Sequence, residues 1–142
     1  MKKTYEVELR SNVKTPMRDG VELSSDLYLP KASGKFPTVL HRTPYGNNTD
    51  TEVEKARMLA NQGYVYVTQD TRGRWDSDGN HYPFHHDGPD GFDTQEWVGA
   101  QEWSNGKIGM TGSSYGGLVQ LLSAPYRSQY LTCIAPRVIC AD

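Results

Sequence analysis

One strand-turn-helix segment near the carboxyl end restricts the fold of this chain more than any other feature. Lys107-Ile108-Gly109-Met110-Thr111 is a short apolar strand, Gly112-Ser113-Ser114-Tyr115-Gly116 a sharp turn, and Gly117 to Leu122 the start of an apolar helix. G-x-S-x-G between a strand and a helix is the context of a nucleophile elbow. Glycines two before and two after the serine let the chain pack without Cβ clashes. The strained turn lifts the Ser114 hydroxyl clear of the sheet and points the helix start at it. A serine in such a turn can also be purely structural, but the two flanking elements favour the elbow.

The remaining periodicities agree with a sheet able to carry such a turn. Tyr5, Val7 and Leu9 alternate with Glu6, Glu8 and Arg10, and Val21 to Leu29 alternate again after Asp19-Gly20, so the chain opens as an antiparallel hairpin. Phe36 to His41 is a short apolar strand, ended by the loop Arg42-Thr43-Pro44-Tyr45-Gly46. Residues 50–62 read as a helix with Val53, Ala56, Met58, Leu59 and Ala60 on one face and a solvated charged face opposite. Tyr64 to Thr68 suits a central parallel strand. The stretch from Asp70 to Pro89 is an aperiodic loop, and such long loops are usually functional or mobile. Asp90 to Trp103 and 115–124 read as helices, and Leu131 to Val138 as a last strand. The expected class is α/β: an antiparallel hairpin start, then a mostly parallel sheet with helices on both faces.

Composition narrows the function classes. The chain has 142 residues, one domain's worth, and a formal net charge of −2, so it lacks the basic footprint of a nucleic-acid binder. No segment approaches the apolar length of a membrane helix, and no apolar run follows Met1-Lys2-Lys3, so no secretory leader is expected and the cytoplasm is the expected compartment. Cys133 and Cys140 match neither a metal spacing nor a disulfide framework and read as two buried free thiols. His81, His85 and His86 with Asp76, Asp78 and Asp87 follow no established ligand pattern, so neither metal nor cofactor is expected. The Gly112 to Gly117 loop lacks the phosphate-binding patterns of nucleotide sites. Tyr64, Tyr66, Trp97 and Trp103 read as core aromatics, and Leu118, Val119, Leu121 and Leu122 as a core-facing helix stripe.

Acyl transfer needs a nucleophile, a base, a group orienting the base, and donors for the developing oxyanion. Ser114 fits the first role. The backbone N–H of Tyr115, at the start of the helix, supplies one donor. A second donor belongs to the loop after the third strand, where the Tyr45 hydroxyl either serves or packs as an ordinary loop aromatic.

Several motifs in order carry a family resemblance over nearly the whole chain. They are Pro16 to Val21, Val39 to Gly46, Gln69 to Arg74 with Ser77-Asp78-Gly79, Asp93 to Trp97, and Trp103 to Gly117. Together they resemble the Xaa-Pro dipeptidyl-peptidase-like, cocaine esterase-type family of α/β-hydrolases. The resemblance implies that Ser114 is acylated and that Tyr45 donates its hydroxyl to the oxyanion beside the Tyr115 amide. It implies an ester, amide or peptide substrate of small-molecule size, and a mainly scaffolding Asp70 to Gly79 loop in which Asp70 and Arg72 form structural hydrogen bonds. It also implies a catalytic aspartate and histidine after the elbow, beyond a helical cap, and a jelly-roll domain.

Here the pattern departs. His41, His81, His85 and His86 all precede Ser114, and the only later acid is Asp142, which is not expected to act in a triad. The expectation is therefore the N-terminal portion of a catalytic domain, poorly active alone, with an uncovered final strand able to associate through its edge. The rival expectation is a non-catalytic remnant or interaction module that keeps the elbow as a fold feature.

Overall fold

The computed structural model describes residues 4–140. Six strands form one sheet in the order β1-β2-β4-β3-β5-β6. β1 (Val7–Pro16) and β2 (Glu22–Pro30) make the opening hairpin, with Gly20 at φ +85° in its turn. β2 lies antiparallel to β4 (Val65–Asp70), and β3 (Phe36–Thr43), β4, β5 (Ser104–Ser113) and β6 (Leu131–Arg137) run parallel. Parallel neighbours need crossovers, and three helices supply them: α1 (Asp50–Asn61), α2 (Asp87–Gly99) and α3 (Tyr115–Ser123).

Alternation along the central strands divides the core into two layers. Leu27, Leu29, Leu40, Val65, Val67, Ile108 and Met110 face α2, where Val98 packs on them. Tyr28 and Tyr66 face α1 and meet Ala56 and Ala60. α2 and α3 pack together on one face, and α1 covers the other. The parallel strands all end at one edge, and there the elbow, the loop after β3 and the loop after β4 converge.

The α/β architecture, the hairpin start and helices on both faces match the sequence expectation. Several local readings need correction. Cys133 and Cys140 are exposed rather than buried, the first on β6, the last strand of the sheet, and the second just beyond it. Met58 points outward, Tyr64 is exposed just before β4, and Leu121 lies on the open side of α3. α2 begins at Asp87 and ends at Gly99, which leaves Trp103 in the turn before β5. Glu52 belongs not to a solvated face but to the interior. Asp142 and Met1-Lys2-Lys3 lie outside the described residues. Among the described residues no helix is long and apolar enough to cross a membrane.

Candidate active site

β5 runs straight into the elbow. Ser114 takes φ +55° and ψ −123°, a strained conformation for a residue with a side chain. Its amide donates to the Arg137 carbonyl at 3.0 Å and its carbonyl accepts from Gly117 and Leu118, so the turn is tied to β6 and to α3. Gly112 sits at φ +143°, and a Cβ there would lie 2.6 Å from the Gly116 carbonyl oxygen. That closeness is why this turn requires glycine. Ser114 itself is exposed, and Tyr115 opens α3, so its amide has no intrahelical acceptor.

Across the edge, the loop after β3 brings the Tyr45 hydroxyl to 3.4 Å from Ser114 Oγ. This is a long hydrogen bond, as is common in sites without substrate. Tyr45 is 58% exposed, so its hydroxyl is not held by burial. Its backbone is held instead. The Tyr45 amide donates to Thr43 Oγ1 at 3.0 Å, and the Pro44 carbonyl accepts from Arg74 Nε and Trp75 Nε1, each at 3.1 Å.

The Tyr115 side chain is anchored in the opposite direction. Its hydroxyl donates to Asp87 Oδ2 at 2.5 Å and accepts from the Phe84 amide at 3.1 Å, while Phe84 stacks on the ring at 4.6 Å. Burial, and then the bond to Asp87, push the Tyr115 phenol up to about 12, so it remains a neutral donor. Asp87 in turn faces Arg42, which is fully buried: Nη1 donates to the Asp87 carbonyl at 2.9 Å and Nη2 lies 3.7 Å from Oδ1. Arg42 Nε donates to Gln69 Oε1 at 2.8 Å, which also accepts from Thr94. A buried cation is tolerated only with such company.

On the α1 face, beneath the elbow, His41 Nδ1 is 2.7 Å from Glu52 Oε1, which also accepts from the Tyr66 hydroxyl; Lys55 Nζ is 3.8 Å away. Burial works to raise the Glu52 pKa, but the His41 bond and charge, with help from Tyr66 and Lys55, hold it below the usual carboxylate range.

Ser114, Tyr45 and Tyr115, the three residues singled out from sequence, thus meet at one edge of the sheet. Among the described residues, Tyr45 is the only side chain within hydrogen-bonding range of Ser114 Oγ. Arg72 makes the structural bonds expected of it, to Asp90 and Asp19. Asp70 makes its structural bond through its backbone, the carbonyl accepting from Ser77 Oγ, rather than through a side-chain partner for its buried carboxylate. Burial pushes its carboxyl up to about 6, with the nearby amides of Asp76 and Asn47 only partly offsetting it. Sequence reasoning missed Arg42, Asp87, Trp75 and Phe84 as parts of the site. The sequence offered no local hint for Asp87, which lay before the helix expected from Asp90 and looked like one member of a loose His/Asp cluster.

Residues 19–142 match the X-Pro dipeptidyl-peptidase (S15 family) domain. Cocaine esterase of Rhodococcus sp. (strain MB1 Bresler) is 40% identical over 136 residues, which is 93% of this chain and 24% of that protein. A solved α-amino acid ester hydrolase superposes with a TM-score of 0.82 at 29% identity, over 98% of this chain and 26% of its own. A CocE/NonD family hydrolase from Staphylococcus aureus gives 0.81 at 26% identity, over 91% of this chain and 27% of its own. The chain therefore spans about a quarter of the length of these relatives. With these motifs in order, an α/β-hydrolase sheet and a strained serine at its edge, the chain belongs to the S15 family of X-Pro dipeptidyl-peptidase-like hydrolases.

Proposed function

We propose that this chain is the nucleophile-bearing portion of a serine hydrolase that cleaves esters or amides, peptides included, through an acyl-Ser114 intermediate. The observation that carries this reading is the convergence of Ser114, at φ +55° on its elbow, with the Tyr45 hydroxyl 3.4 Å away and the Tyr115 amide beside it. Ser114 Oγ attacks the substrate carbonyl and its proton leaves to a general base. The carbonyl oxygen, now negative, sits between the Tyr45 hydroxyl and the Tyr115 amide. Collapse expels the alcohol or amine with a proton, and water then releases the acid. Among the described residues no histidine touches Ser114, so the base in this mechanism comes from outside them. That same observation favours a second reading, a non-catalytic module that keeps the elbow for its fold.

A fluorophosphonate probe followed by mass spectrometry separates the two. The expected result is a slowly formed adduct on Ser114, absent in Ser114→Ala and accelerated by free imidazole, which supplies the missing base. Tyr45→Phe should slow adduct formation by roughly a hundredfold, the usual cost of one oxyanion donor. No adduct even with imidazole would leave the non-catalytic reading standing.

A further inference from the structure

We propose that the loop between β4 and α2 is a two-armed brace for the oxyanion site, with Trp75 a positioning residue for Tyr45 and Phe84 one for Tyr115. The inference rests on the oxyanion roles proposed above for the Tyr45 hydroxyl and the Tyr115 amide.

Backbone strain marks both residues, which are the only non-glycine residues of this loop at positive φ. Trp75 lies at φ +50° and Phe84 at φ +65°, in a region that bulky side chains avoid. Such a conformation costs on the order of 1–3 kcal/mol and persists only where the surroundings demand it. Burial does not supply the demand, since Trp75 is 67% exposed and Phe84 44%. What both residues do is hold a neighbour of the nucleophile.

Trp75 acts on the peptide plane that joins Pro44 to Tyr45. Its indole N–H and the Arg74 guanidinium converge on the carbonyl oxygen of that plane, and Thr43 Oγ1 takes the N–H at the plane's other end. The indole also lies over Gly46, where an added Cβ would sit 3.4 Å from Cε2. Tyr45 therefore leaves a peptide pinned at both polar atoms, and its exposed ring inherits its aim from that plane. Phe84 acts on the other donor: its amide donates to the Tyr115 hydroxyl and its ring stacks on the Tyr115 ring, beside the bond to Asp87. The brace has a fixed base, because Arg72 spans Asp19 and Asp90, and Ser77 Oγ links the Asp70 carbonyl to the Ser24 amide. The loop, of which only the Asp70 to Gly79 part reads from sequence as mainly scaffold, thus has one arm on each proposed donor.

The test measures Ser114 phosphonylation of the full chain with a fluorophosphonate probe in the presence of imidazole, separating the maximal rate from the half-saturating probe concentration. Trp75→Phe keeps an aromatic ring but removes the indole donor. It is expected to lower the maximal rate about tenfold, the scale on which small misplacements act, without moving half-saturation. In the Tyr45→Phe background the same change should have no further effect, because Trp75 acts through the hydroxyl already lost. Phe84→Gly keeps the amide, relieves the left-handed residue and removes the ring. Its severalfold loss should multiply with Tyr45→Phe, because it acts on the other donor. Arg74→Gln, which removes the second donor to Pro44, repeats the Trp75 pattern more weakly and serves if Trp75→Phe does not fold. Wild-type rates in Trp75→Phe, a change confined to half-saturation, or multiplicative effects of Trp75 and Tyr45 would overturn the brace alone. Absence of any adduct in every variant would overturn the hydrolase reading and the brace with it.

Discussion

His41 and Arg42 are neighbours on β3, and the strand's pleat sends them to opposite faces of the sheet. Each meets a carboxylate from the first turn of a helix, Glu52 of α1 for His41 and Asp87 of α2 for Arg42. Both residues lie directly under the elbow: a Cβ on Gly116 would sit 3.0 Å from His41 Nε2 and 3.3 Å from the Arg42 carbonyl. The pairs differ in what they can give up. Arg42 carries a permanent charge, is fully buried, and belongs to a network that ends on the Tyr115 hydroxyl. The His41 pair holds a titratable base, keeps a little exposure, and ends on Tyr66 inside the core. One face therefore couples the elbow to the site through a charge that never leaves. The other supports it through a charge that pH can remove.

The largest effect should come from Arg42→Met. The change leaves the buried Asp87 carboxylate without its cation, and breaking such a pair costs about 3–5 kcal/mol. Urea denaturation should show that loss, and a cost under 1 kcal/mol would mean that the bond from Tyr115 suffices for Asp87.

Glu52→Gln should cost less, about 1.5–3 kcal/mol, the range for hydrogen bonds to a charged group. Its signature is the pH dependence. Because the folded Glu52 pKa is lowered from its ordinary 4.5, its stabilisation is fully present above that value and is lost as pH falls through the lower folded value. The stability gap between wild type and Glu52→Gln should therefore be widest near neutrality and close in acid. A Glu52→Gln gap that does not narrow in acid would erase the contrast between the faces.

Gly116→Ala should have the smallest effect, about 1 kcal/mol of destabilisation, with crowding outweighing the helix propensity gained. The His41 ring can yield where the Arg42 carbonyl cannot. Combining Gly116→Ala with Glu52→Gln should therefore give less than the sum of the two, and a strictly additive result in thermal denaturation would show that the backbone carbonyl sets the cost.

Much of this molecule could be read from local pattern. The hairpin start follows from alternation around Asp19-Gly20, and the elbow from two glycines framing Ser114 between a strand and a helix. Those signals are short-range, and the backbone geometry they demand leaves few alternatives. Tyr115 was reachable for the same reason, since it follows the serine at the helix start, whereas the pattern left Tyr45 open between donor and loop aromatic and the family resemblance implied the donor role. The tertiary structure alone decided the partners. Arg42 and Asp87 are 45 residues apart and His41 and Glu52 are 11 apart, and nothing in either spacing announces a pair. They meet because β3 lies between β4 and β5, with helices closing both faces, so that adjacent residues on one strand enter two separate interiors. Burial went wrong where it depended on neighbours: Glu52 looked solvated and is interior, while Cys133 and Cys140 looked buried and are exposed on and just beyond the sheet's last strand. Side-chain type and local period determine which elements form. Long-range packing determines the dielectric and the partners that each polar group meets, and on this chain those conditions hold the elbow in place.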